Sequence, residues 1–151
     1  RGDDLDNQFD RLPLIHWVKI VEARLESSAP DRIYTHSHVD LNIDHQIMHR
    51  AVLTATRPIK GNAKVPEIYA FETPSSTEWN FGSPFCPNVF EAISDADLDW
   101  KIHELYLRYP QEMCDFPHPR SAEYLRVLAM RWGAVAGVGL AEAFETVRVI
   151  R

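Results

Sequence analysis

From Tyr34 to His45 the chain reads Tyr-Thr-His-Ser-His-Val-Asp-Leu-Asn-Ile-Asp-His, placing three of its seven histidines and two aspartates within ten residues. Imidazoles and carboxylates at this density suit metal ligation or acid/base proton transfer. Asn42 or Asp40 also suits an ordinary helix N-cap, and Asp44 an ordinary first turn. That accounts for the acids but leaves His45 without a structural reason. His45 and His49 lie four residues apart, so a helix carries them on one face.

Two further segments carry candidate chemistry. Glu72 ends an apolar run, Glu67 to Glu72, and opens a long polar and aromatic stretch, Thr73-Pro-Ser-Ser-Thr-Glu-Trp-Asn-Phe-Gly-Ser-Pro84. Loops longer than a connection needs are often functional, and α/β enzymes place working groups at strand ends. Hydroxyl-rich turns on a plain surface loop are the bland alternative. In Pro117-His118-Pro119-Arg120-Ser121, two prolines restrain the backbone around His118, and Arg120 offers a forked donor for an oxyanion, sugar or carboxylate. A stiff helix entrance with a solvated His and Arg fits the same residues. His16 and His103 read as helix-face residues without a special role.

The elements that must position these groups follow from periodicity. Leu14, Val18, Val21 and Leu25 form a helical stripe, with Pro13 in the first turn, Asp10 as a cap, and Ser27 to Pro30 as the stop. Ile33-Tyr34-Thr35 reads as a short buried strand. A helix is expected from about Ile43 to Thr56, then a turn at Gly61-Asn62. Glu67 to Glu72 and Asn88 to Ile93 read as strands. Ser94 with Asp97 predicts an N-cap, for a helix with a Leu98, Ile102, Leu105, Tyr109 stripe. Ser121 caps a helix carrying Tyr124, Leu125, Leu128 and Trp132, with Gly133 as its stop. Gly139 to Ile150 reads as a final strand. Trp17, Trp100 and Trp132 fall on helical stripes, as core or interface residues. Alternation of strand and helix makes the fold class α/β.

Bulk properties narrow the partners. The 151 residues suffice for a single domain, 1–151, with a real core. A net charge of −6 argues against nucleic acid or an anionic membrane as partner, and no apolar run reaches the roughly 20 residues of a membrane-spanning helix. Cys86 and Cys114 stand in no metal spacing, which suits a reduced, cytoplasmic protein. The Trp-bearing helices leave internal packing and a homo-oligomer interface both open.

His36-x-His38-x-Asp40 resembles the opening of the metallo-β-lactamase pattern, with Leu41 where that pattern ends in histidine. A metal hydrolase built on His36, His38 and Asp40 is one alternative. A far longer stretch resembles the PIG-L / LmbE-like zinc-dependent N-deacetylases. It comprises Thr35-His36, Asp40-Leu-Asn-Ile-Asp-His45, Ala51 to Ala55, Arg57-Pro58, Phe71-Glu72 to Trp79, Pro87 to Phe90, Pro117 to Ser121 and Ala141 to Phe144. The resemblance implies a Rossmann-like three-layer sandwich and zinc-activated attack of water on the amide of an N-acetylated sugar or glycoconjugate. It implies His45 as a zinc ligand and Asp44 as a residue orienting groups around the metal. Asn42 stands where some relatives carry a catalytic histidine, which leaves the general acid unassigned; loop chemistry rather than a motif offers His118 as a substitute, with Arg120 and Glu72 as candidate substrate contacts. The family's first motif, His-Pro-Asp-Asp-Glu, with two more ligands, occurs nowhere in this sequence, and Asp3-Asp4 lacks the histidine. The resemblance therefore implies that this chain is the C-terminal part of a larger domain, without its N-terminal strands. A non-catalytic binding or regulatory domain with the same fold is the other alternative.

Overall fold

A computed structural model describes residues 7–59 and 64–151; the Gly61-Asn62 turn and Asp3-Asp4 lie outside the described residues. After a short 3-10 helix, Phe9–Arg11, come α1 (Leu14–Ser28), β1 (Arg32–His36), α2 (Ile43–Ala55), β2 (Glu67–Phe71), β3 (Val89–Ile93), α3 (Asp95–Arg108), α4 (Ala122–Ala136) and β4 (Leu140–Val149). The strands form one mixed sheet in the order β1-β2-β4-β3. β1 and β2 are parallel, with Ile33 opposite Ile68 and His36 opposite Phe71; β3 and β4 are antiparallel. The α/β class expected from the alternation is present.

Two compact units share the chain, residues 1–86 with 145–151, and residues 87–144. In the first, the α1 stripe residues Val18 and Leu25 pack with Trp17, with Ala51, Val52 and Ala55 of α2, and with Ile68 of β2. The Arg148 guanidinium donates to the carbonyl oxygens of Thr56 (2.8 Å) and Val65 (2.9 Å), setting a cation at the C-terminal end of α2. In the second, Leu98 and Ile102 of α3 meet Leu125 and Ala129 of α4. Trp17 and Trp132 are buried, whereas Trp100 is exposed.

Several caps follow the local chemistry. Ser94 and Asp97 form a reciprocal capping box at α3, and Ser121 caps α4. Two expectations need correction. Asp10 sits inside the 3-10 helix, and Pro13 occupies the N-cap of α1 without a side-chain bond, its fixed φ being suited to helix entry. Gly133 does not stop α4, which continues to Ala136 and ends at Gly137, in the left-handed region at φ 76°. Gly133 is needed for close approach: a Cβ there would lie 2.7 Å from the Gly139 carbonyl carbon and 2.9 Å from the Leu140 Cα.

Candidate functional site

The carboxyl ends of the parallel strands β1 and β2 lie side by side, the place where open α/β sheets hold ligands. His36 is the last residue of β1, Glu72 follows β2 directly, and the Ser37 N–H donates to the Phe71 carbonyl at 3.0 Å. From there Ser37 to Leu41 leads into α2.

α2 starts where it does because Asn42 caps it. Its Oδ1 accepts from the N–H groups of Asp44 (2.9 Å) and His45 (3.4 Å), so two otherwise orphaned donors are satisfied. The Asp44 carboxylate in turn accepts from the backbone N–H groups of Gln8 (3.2 Å) and Phe9 (2.9 Å). Asp44 therefore ties the start of α2 to the segment before α1, and its contacts do not include the His45 ring.

Asp40 makes that contact. Its Oδ2 lies 2.9 Å from His45 Nδ1 and also accepts from Thr77 Oγ1 at 3.1 Å, while Oδ1 accepts from the Asn42 N–H at 2.8 Å. Burial pushes the Asp40 carboxyl up, but hydrogen bonds from His45, the Asn42 N–H and the nearby Ser76 hydroxyl outweigh it and hold the group below its usual range. An ionised carboxylate only accepts, so His45 Nδ1 carries the proton. The Nε2 lone pair is left available for a metal or for a proton. Asp40 is fully buried, whereas the His45 side chain keeps 22% of its surface exposed, so the carboxylate is sheltered and the imidazole can be reached.

His36 lies flat against His45, ring centroids 3.9 Å apart and planes 12° from parallel. Burial, and next the neighbouring His45, push His36 down to about 4. It is neutral at pH 7. Its Nδ1 is buried without a hydrogen-bond partner among the described residues. His49, on the same face of α2 as His45, donates from Nδ1 to the His36 carbonyl at 2.8 Å. Burial is the main reason that its imidazole also titrates below the usual range.

The sequence does not single out Glu145, yet β4 brings it here. Its carboxylate accepts from Ser37 Oγ (2.8 Å) and the Cys86 N–H (2.8 Å), and stands 4.0 Å from His38 Nδ1. No local signal marks it, since Glu142 and Thr146 interrupt the same strand. His38 thus turns toward Glu145 while Asp40 is committed to His45, so His36, His38 and Asp40 do not converge on one point. Among the described residues no group of three or more His, Cys, Asp or Glu side chains is placed to hold a metal ion. His45 fits a metal as a single oriented ligand; the described residues do not complete a three-ligand site.

His118 and Arg120 belong to the second unit. The exposed His118 accepts at Nδ1 from the Arg120 N–H at 3.0 Å, and the Arg120 guanidinium pairs with Glu112. The loop carries turn bonds from the His118 N–H to the Asp115 carbonyl and from the Ser121 N–H to the His118 carbonyl.

No protein-family model matches the chain, and no curated protein matches it either. Solved structures do. The conserved protein TT1542 from Thermus thermophilus superposes with a TM-score of 0.69 at 21% identity, over 97% of this chain and 64% of that one. GalB, the 4-carboxy-2-hydroxymuconate hydratase from Pseudomonas putida, superposes with a TM-score of 0.60 at 22% identity, over 100% of this chain and 62% of that one. The chain thus spans less than two thirds of either neighbour, and the likeness is one of fold.

Proposed function

We propose that the protein is a metal-dependent hydrolase that removes the acetyl group from an N-acetylated sugar or glycoconjugate precursor, with His45 as one metal ligand. The observation that carries this is the buried Asp40 carboxylate bonded to His45 Nδ1 at 2.9 Å. Carboxylate–histidine pairs of this kind fix the tautomer and raise the basicity of metal-bound imidazoles. The resemblance of the Asp40 to His45 segment to the PIG-L / LmbE-like deacetylases supplies the reaction class. Zinc at such a site supplies a Lewis acid and a water of lowered pKa.

In this scheme the metal's remaining ligands come from outside the described residues. Asp40, rather than Asp44, orients the imidazole, and the neutral His36 holds the ring from its face. Asn42 is occupied as a cap, and Glu72, directly after β2 in the same unit as His45, is the substrate contact. The two free cysteines suit the cytoplasm.

The test uses the protein at its full natural length. Zinc content and acetate release from N-acetylhexosamine derivatives are measured for the wild type and for His45→Ala. Loss of both in the variant is the expected result; no acetate from any such substrate with the zinc-loaded wild type would end the proposal. A second reaction, addition of water to a carbon–carbon double bond, is favoured only by the hydratase among the structural neighbours. A dienoic acid assayed in parallel separates the two.

A further inference from the structure

The loop after β2 carries two large aromatic side chains in water. Trp79 is 58% exposed and Phe81 85% exposed. Their centroids lie 5.9 Å apart with planes tilted by 58°, so the two rings do not cover each other's faces. Exposure of single hydrophobic residues is ordinary, but this pair stands on a segment joined directly to the His45 site. Thr77 Oγ1 donates to Asp40 Oδ2 (3.1 Å), Asn80 Nδ2 donates to the Val39 carbonyl (2.9 Å), and the Leu41 N–H donates to the Ser76 carbonyl (3.4 Å). Residues 76, 77 and 80 thus fasten the loop to 39, 40 and 41, the residues that lead into the His45 helix.

The loop is also braced from within. The Thr77 N–H donates to the Thr73 carbonyl at 3.0 Å, the Ser75 N–H to Glu78 Oε1 at 2.6 Å, and the Phe81 N–H to the Trp79 carbonyl at 3.1 Å. Its aromatic residues therefore stand on a braced loop tied to the segment that holds Asp40.

We propose that Trp79 and Phe81 form the platform on which the pyranose ring of the N-acetylated substrate lies, an inference that rests on the deacetylase proposal. A pyranose has an apolar C–H face and a hydroxyl edge. Two exposed aromatic rings flanked by hydroxyl, amide and carboxylate side chains match that division. The rings, at roughly 150–250 Å² each, are far too small a patch for a protein partner, which needs about 800 Å² per side.

The test compares Trp79→Ala, Phe81→Ala and Trp79→Phe in the full-length zinc-loaded protein, using N-acetylglucosamine as the probe. Acetate release gives KM and kcat, and sugar binding is followed separately by ligand-observed NMR. The expected result is a KM about tenfold higher in the Ala variants, with kcat unchanged and Trp79→Phe close to wild type. Acetate release with unchanged KM would overturn the platform and leave the reaction standing. Sugar binding that is lost in Trp79→Ala, in a protein that never releases acetate, would keep the platform and remove the deacetylase. A sugar that neither binds nor reacts would remove both.

Discussion

Asp40 and His45 face each other across the N-cap of α2, Oδ2 to Nδ1 at 2.9 Å, with the carboxylate wholly buried and the imidazole partly open. The cap residue Asn42 lies between them in sequence, and its own N–H is held by the other Asp40 oxygen at 2.8 Å. One carboxylate thus sets both the entry of the helix and the tautomer of the histidine at its start. This arrangement makes the role of Asp40 separable from that of Asp44.

Replacing Asp40 by Asn removes the charge while nearly keeping the shape. Zinc affinity of the full-length protein should fall roughly 10–100-fold, the usual range for loss of an orienting partner. Asp44→Asn should leave zinc affinity nearly unchanged and instead destabilise the fold by about 1–3 kcal/mol, by weakening charge-assisted bonds to Gln8 and Phe9. Competition with a zinc chelator and urea unfolding distinguish the two. Equal zinc losses in both variants would return the orienting role to Asp44.

Asn42 can be tested as a cap or as a catalytic group. Asn42→Ala should cost about 1 kcal/mol, and Asn42→Ser, which keeps a capping oxygen, only a few tenths. If Asn42 acts only through the helix, the Ser variant retains turnover. A Ser variant that is stable but inactive would make the amide part of the chemistry.

The stability of the metal-free protein should depend on pH through His36. Its folded-state value, about 4, lies below the ordinary 6.5 because burial disfavours the imidazolium. The contribution is therefore fully present above about pH 6.5 and is lost as pH falls from there toward 4. After discounting for partial exposure the loss is of the order of 1–2 kcal/mol. Urea midpoints from pH 7 to 4 should flatten in His36→Phe relative to wild type, and parallel curves would show that His36 contributes nothing to acid lability.

Gly133→Ala should destabilise by about 1–3 kcal/mol, since its Cβ has no room beside the Gly139 carbonyl carbon and Leu140. Gly137→Ala meets no atom within 4 Å and pays only for the positive φ, about 1 kcal/mol. Thermal melts rank the two, and the reverse order would place the close contact elsewhere.

Much of this protein was legible in the order of its residues. Helices α1, α3 and α4 follow from apolar residues at helical spacing, and the Ser94 and Ser121 caps are local hydrogen bonds between neighbours in sequence. The crowding of His36, His38, Asp40 and His45 is likewise visible at once, because it is a matter of spacing. The pairing within the cluster is not. Asp44 is adjacent to His45 in sequence, but one helical step turns its side chain toward Gln8 and Phe9. Asp40, five residues back, is brought onto the ring by the Asx-type turn before the cap. Gly133 looked like a stop because glycine ends many helices, while its real constraint is a backbone that returns against it. Glu145 and Thr77 join the site from distant points on the chain, through β4 and the loop after β2. Periodicity and capping are short-range and can be read residue by residue; which acid meets which imidazole depends on chain segments many residues apart being brought together, and only the tertiary structure decides it.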